Sequence, residues 1–355
     1  MGNIKVRESN IELLRNISMF MILIIHANFV SLPHIQYNEL TSNYLPSITR
    51  FLIESLGIVA VNVFVFISGW FGINTRAKGI FSFIYQILFF LLGGGILFIL
   101  VGKTTFSINW LLDVFQLSSK DWFIKSYFVL MIISPVLNSF SKNADEKIQR
   151  YVVFSFFLFE TLYGWVTGGR RFFVDGYGPL HFIGLYLTAQ YIHNQLATAS
   201  TPIILKKLFS LPKWVDFSIF LLMAIINTFI ITLGSMYLHN VEPFHAACYA
   251  YSNPLNIIGG VYLLLFFSKL KMHHSKIINW MGASSFAVYL LHSECTIRSH
   301  YFTPQIQYLF ETNFGISCIM VIFFFLCIVY IASILIDQIR IWTWGYINKG
   351  LFNNK

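Results

Sequence analysis

Residues 12–31 read Glu12-Leu-Leu-Arg15-Asn-Ile-Ser-Met-Phe-Met-Ile-Leu-Ile-Ile-His26-Ala-Asn-Phe-Val-Ser31, and this stretch decides the fold class. It is about as long as the roughly 20 mostly apolar residues that an α-helix needs to cross a bilayer. Lys5 and Arg7 precede it as they precede a secretory signal. However, it has no small-x-small cleavage site, Arg15 is embedded in it, and it stays apolar as far as His26. The expectation is a retained membrane-spanning helix. Working outward, nine further apolar stretches follow, at 50–71, 80–101, 122–140, 149–167, 178–195, 214–237, 250–268, 277–294 and 315–338. The segments between them are short, with no low-complexity linker and no internal repeat. The predicted fold is therefore an all-α, polytopic membrane protein of about ten transmembrane helices, with residues 1–355 forming one transmembrane domain and no fused soluble domain.

Composition points the same way. Apolar and aromatic residues make up 56% of the 355-residue chain and charged residues only 11%. A soluble domain is about one quarter charged, and a disordered chain is poorer in apolar residues. The 38 Phe and 18 Tyr suit lipid contact and interfacial belts. The net charge of +9 does not indicate a nucleic-acid partner, because the cations sit between apolar runs, where they set topology. With ten spans and both termini cytosolic, 17 of the 24 Lys and Arg fall on the cytosolic side. The remaining seven are Arg50, Lys103, Lys120, Lys125, Arg170, Arg171 and Arg298. The four cysteines, Cys248, Cys295, Cys318 and Cys327, form no Cys-x-x-Cys pair and are expected to form neither a disulfide framework nor a metal site.

Ionisable groups at membrane depth are costly, and each is a candidate for function. Arg15 and His26 are eleven residues apart, a rotation about 20° past three helical turns, so both side chains share one helix face. The rise between them is roughly 16 Å. This places a guanidinium, which forks onto phosphate or carboxylate, near one surface and a titratable imidazole beyond mid-membrane. Glu12 lies one turn before Arg15 and is positioned to pair with it. In the second span, Ser68-Gly69 permits close helix approach, and Arg76 and Lys78 follow it. Lys125 lies inside the fourth span beside Trp122, and Glu160 lies inside the fifth. A Lys125–Glu160 ion pair is the economical expectation. A glycine-rich loop, Gly168-Gly-Arg-Arg171 and Asp175-Gly-Tyr-Gly-Pro179, follows the fifth span. The ninth span ends in a polar cluster of Tyr289, His292 and Glu294, with Arg298 and His300 just beyond.

Taken together, these segments resemble the integral-membrane acyltransferase family (acyltransferase type three) that O-acetylates bacterial surface polysaccharides. The resemblance rests on Ile11-Glu-Leu-Leu-Arg-Asn-Ile-Ser with the Arg15-x10-His26 spacing, on Phe66-Ile-Ser-Gly-Trp70, on Trp122-Phe with Ser134-Pro-Val-Leu-Asn138, and on Phe286-Ala-Val-Tyr-Leu-Leu-His292. These motifs occur in family order over nearly the whole chain. The resemblance implies His26 as the catalytic group with Arg15 as its partner, and acetyl-CoA or a similar acyl-CoA as a cytosolic donor substrate, with no bound cofactor. It also implies a bacterial inner-membrane location and a polysaccharide or lipid-linked glycan acceptor. Donor contacts map to Arg15, Ser68, Arg76 and Lys78. The family's basic Arg-x-x-Arg element is reduced here to Arg76 and Lys78, with Gly79 at its second arginine position. Trp122, Lys125, Glu160, Tyr289, His292, Glu294 and Arg298 are expected on the acceptor side. His26 is expected to act either as a base or as a transient acyl carrier. The rival reading is a transporter or flippase of lipid-linked sugars, which needs no reactive thioester. A glycan polymerase usually carries a larger outer loop than the gaps here, about 20 residues at 102–121 and 295–314.

Overall fold

A computed structural model describes residues 7–102, 105–108, 122–167, 173–197 and 202–352. Residues 168–171 of the glycine-rich loop lie outside the described residues, as do Lys5, Lys103, Lys120 and Lys355 of the orientation count. Every regular element among the described residues is helical. The main helices are α1 (Ser9–Ile25), α2 (Tyr44–Gly57), α3 (Val59–Phe71), α4 (Ala77–Leu100), α5 (Trp122–Asn143), α6 (Glu146–Phe159), α7 (Pro179–Ala197), α8 (Lys213–Leu238), α9 (Pro254–Ser268), α10 (Lys276–Ser293) and α11 (Gly315–Phe352).

Among the described residues, six segments are long and apolar enough to cross a membrane: Ser9–Ser31, Tyr44–Phe71, Ala77–Leu100, Trp122–Asn143, Lys213–Leu238 and Gly315–Gly350. Pro254–Ser268 is apolar but shorter. The other three stretches expected to span, now α6 with the helical turn Glu160–Val166 that continues it, α7 and α10, are helical but carry buried polar side chains such as Glu160, His181 and His292. Helix ends follow local chemistry. Pro254 occupies the first turn of α9, where its missing N–H costs nothing, and the Asn253 side chain accepts the Leu255 N–H at 2.9 Å. Ser275 caps α10 by accepting from Ile278 N.

The bundle has a centre and a lipid-facing rim. The most apolar window of Tyr44–Phe71 is 78% buried and that of Gly315–Gly350 only 22%. Accordingly α11 turns Ile316, Phe323, Phe324, Ile331 and Leu335 outward, an apolar surface suited to lipid rather than water. Helix α1 lies in the interior against α10, α3, α2 and α11. Small residues allow this approach: a Cβ on Gly57 would overlap Ile25, one on Gly282 would overlap Glu12, and one on Gly69 would overlap the Tyr186 backbone of α7. The Ser68-Gly69 pair is thus a close α3–α7 contact. Buried amides tie the helices together in the absence of water. Asn16 donates to Ile278 O at 3.1 Å, Asn10 to Phe267 O at 3.0 Å and Asn62 to Tyr251 O at 3.0 Å, while Tyr330 OH donates to Asn16 Oδ1 at 3.0 Å.

Among the described residues, three π-helical segments interrupt the bundle: His26–Ser31, Glu160–Val166 and Arg298–Phe302. Each begins at an ionisable residue. The wider π turn re-aims the side chains around it, and such turns recur at functional sites.

Candidate active site

Up to His26 the first helix stays in regular right-handed geometry (φ −68°, ψ −34° at His26), so the rotation worked out from the sequence carries from Arg15 to His26 unchanged. Arg15 pairs with Glu12 at 3.4 Å, and Glu12 also takes Arg7 at 3.3 Å. Arg15 opens into a cavity of about 360 Å³ lined also by Ser68, Ser82, Gln86, Tyr127 and Ser285. Ser68 Oγ donates to Phe64 O at 3.0 Å and lies 3.1 Å from Tyr127 OH. Gln86 Nε2 is buried there without a partner among the described residues, leaving a donor available to a bound molecule.

His26 opens into a second cavity of about 360 Å³, together with Glu54, Trp122, Tyr251, Tyr289 and Arg298. Phe64, Phe123 and Phe286 line both cavities. The guanidinium and the imidazole therefore face two chambers that meet at one phenylalanine boundary, as the shared helix face requires. A larger cavity of about 560 Å³, lined by Gly69, Trp70, Asn138, Gln190 and His193, includes neither Arg15 nor His26. Its size alone does not make it the site, because it holds no candidate nucleophile beside a guanidinium.

The imidazole of His26 is held by a second one. His292 Nδ1 lies 2.6 Å from Val288 O, one turn back on α10, and His292 Nε2 lies 2.8 Å from His26 Nδ1. A carbonyl oxygen only accepts, so His292 Nδ1 carries the hydrogen and donates it. In a neutral ring Nε2 is then the acceptor, and His26 Nδ1–H donates to it. This donor–acceptor accounting leaves His26 Nε2 unprotonated and, among the described residues, without a hydrogen-bond partner, on a residue that lines the cavity. A backbone carbonyl thus sets the tautomer of His292, and His292 sets that of His26.

The other predicted residues separate into two groups. Trp122, Tyr289 and Arg298 line the His26 cavity. Trp122 packs on Tyr177 and Tyr251, with ring centroids 4.5 and 5.3 Å away. His292 sits directly behind His26. Glu294 is buried and accepts the Ile297 N–H at 2.8 Å, which makes it a local cap outside the cavity lining. Arg76 and Lys78 are exposed, and neither lines the Arg15 cavity, although Gly79 beside them does. The expected Lys125–Glu160 pair does not form. Lys125 is exposed, while Glu160 Oε1 lies 2.8 Å from His181 Nδ1 and His181 Nε2 lies 3.1 Å from Asn62 Oδ1, all three residues being fully buried. Glu160 prefers the imidazole because α7 packs against α6 and presents it at the same depth, whereas Lys125 extends out of the bundle. Through the Asn62–Tyr251 bond this buried triad supports the aromatic wall of the His26 cavity.

Sequence reasoning overlooked Glu54. It lies four residues inside the second span, is 5% exposed and lines the His26 cavity. Asn28 Nδ2 donates to Glu54 Oε2 at 3.0 Å, and Arg50 Nε donates to Asn28 Oδ1 at 3.1 Å. The available signals were the i, i+4 spacing of Arg50 and Glu54 and an asparagine two residues after His26. His34 and His245 also line the cavity, their rings stacked 4.3 Å apart. Burial, followed by the proximity of His34 and Arg50, lowers the His245 pKa to about 4.

The sequence profile of the acyltransferase domain family matches residues 8–338. The chain is an acyltransferase of type 3. The match spans Arg15, His26, His292 and both cavities, so the two chambers belong to the acyltransferase domain itself. No curated protein and no solved structure matches the chain.

Proposed function

We propose that this membrane acyltransferase moves an acyl group, acetyl in the simplest case, from acyl-CoA to a hydroxyl of a bacterial cell-surface polysaccharide or its lipid-linked precursor. The observation that carries this reading is the pair of cavities meeting at Phe64, Phe123 and Phe286, with Arg15 in one and His26 Nε2 free in the other. In this reading the chain spans the inner membrane ten times with both termini cytosolic. The Arg15 chamber opens to the cytosol and receives the donor. Arg15 takes a phosphate of CoA by charge-assisted hydrogen bonds, and Gln86 and Ser68 offer polar contacts to the pantetheine arm. The thioester lies at the phenylalanine boundary, where water is excluded.

The chemistry runs through His26. Nε2 removes the proton of the acceptor hydroxyl, and the resulting alkoxide attacks the thioester carbonyl carbon. As the C–S bond breaks, the proton on Nε2 passes to the leaving sulfur and CoA departs as its thiol. While protonated, His26 keeps its Nδ1–H bond to His292, which stabilises the imidazolium. A base suits this geometry because the ring has one free nitrogen and the other is held. Arg76 and Lys78, exposed at the start of α4, steer the anionic donor toward the chamber by charge. The alternative, a carrier of lipid-linked sugars, has no use for a thioester. The test is to measure release of CoA thiol from acetyl-CoA by the purified protein, and the O-acetyl content of surface polysaccharide in cells with and without it. The proposal predicts release and a loss of O-acetyl on deletion. Neither effect appearing would favour the carrier.

A further inference from the structure

Arg298 also lines the His26 cavity, and no carboxylate among the described residues lies within ion-pair distance of it. Arg298 is half-buried and opens the π segment Arg298–Phe302. Its backbone N–H donates to Glu294 O at 2.8 Å, but its side chain has no carboxylate partner among the described residues. Four acidic side chains at this end of the bundle have contacts of their own. Glu294 accepts from Ile297 N, Glu54 takes Asn28, Glu39 lies 3.6 Å from Arg50, and Glu242 lies 3.9 Å from His34. An arginine at the edge of a membrane cavity is costly to retain without a partner. A planar guanidinium is matched geometrically by a carboxylate or a phosphate.

We propose that the acceptor is anionic: the unit entering the His26 cavity carries a carboxylate or phosphate that Arg298 binds while a neighbouring hydroxyl meets His26 Nε2. This rests on the acyltransferase reading and narrows its substrate class. The remaining lining suits a sugar, since the rings of Trp122, Tyr251 and Tyr289 offer flat apolar faces. A cavity of about 360 Å³ lies at the low end of small-molecule sites and matches a sugar unit with its substituent better than a length of polymer. The anion has two chemical sources, a uronic-acid carboxylate within the glycan or the phosphate linking a sugar to its lipid carrier.

The test uses the full chain in detergent and three probes: a glucuronic-acid-containing disaccharide, the matching glucose disaccharide, and the glucose disaccharide on a polyprenyl pyrophosphate. Calorimetric titration is expected to show at least one charged probe binding about ten- to a hundred-fold tighter than the neutral one, and the tighter of the two identifies the source. Arg298→Gln is expected to erase that ratio and Arg298→Lys to keep part of it. Because the readout is a ratio within one preparation, a loss of folded protein lowers all probes alike. Equal binding of charged and neutral probes by the parent, or an unchanged ratio in Arg298→Gln, overturns the proposal. Acetyl-CoA discharge measured in parallel separates the two readings. Charge preference without discharge sinks the transferase and leaves the anion site standing, and discharge without preference does the reverse.

Discussion

Replacing His292 by leucine keeps an apolar side chain of similar reach on α10 but removes the acceptor 2.8 Å from His26 Nδ1. Two effects follow. The bond that holds the His26 hydrogen on Nδ1 is lost, a net contribution of about 1 kcal/mol, so much of the population moves that hydrogen to Nε2 and blocks the reacting nitrogen. The imidazolium formed during turnover also loses its acceptor, and a bond to a charged donor is worth about 1.5 kcal/mol or more. Together these predict a fall in kcat of about a hundredfold, at the lower end of what positioned acid–base groups contribute. KM for acetyl-CoA is expected to change less than about twofold, since the donor binds in the other chamber. Glutamine at the same position offers an oxygen to His26 Nδ1–H and an amide hydrogen to Val288 O, so His292→Gln is expected to lose only about tenfold. The assay is transfer from radiolabelled acetyl-CoA by purified protein in proteoliposomes, with kcat and both KM values resolved. Parent-like kcat in both variants would refute the reasoning. A change confined to acceptor KM would instead make His292 a substrate contact.

Further outcomes follow from other parts of the molecule. Arg15→Gln is expected to raise KM for acyl-CoA by about ten- to a hundred-fold, the worth of a charge-assisted pair, with a smaller effect on kcat. Isothermal titration with CoA checks the binding part. Gly69→Ala places a methyl group against the Tyr186 backbone and 2.9 Å from Ala189 Cβ. It is expected to cost about 1–3 kcal/mol, read as a lower thermal midpoint. His245 gives a pH signature. Its folded pKa, about 4, lies below the ordinary histidine value, so the unfolded chain binds the proton first. Stability from this site is complete above about pH 6.5 and is lost as pH falls toward 4. Thermal melts at stepped pH should show that decline, and His245→Phe should flatten it.

Much of this was legible in the sequence because membrane depth penalises polar groups and makes the survivors conspicuous. The Arg15–His26 spacing fixes a shared helix face by rotation alone, and the Glu12–Arg15 pair follows from a one-turn separation. The Ser68-Gly69 contact was likewise readable as close packing. What the sequence did not reveal depends on which helices become neighbours. Glu160 was assigned to Lys125 because both lie inside apolar runs. Only the packing of α7 on α6 brings His181 to the carboxylate and leaves Lys125 outside. The His26–His292 bond joins residues 266 positions apart, and no local pattern announces it. Glu54 was hidden by its position near the end of a span, where a carboxylate reads as interfacial, although Asn28 and Arg50 hold it inside.

The most direct measurement is acetyl transfer by His26→Ala, assayed on protein shown to be inserted and to melt like the parent. The account predicts no transfer above background while acetyl-CoA still binds with parent affinity through the Arg15 chamber. Transfer at a parent-like rate in that variant would contradict it, because the account takes the proton of the acceptor hydroxyl onto His26 Nε2.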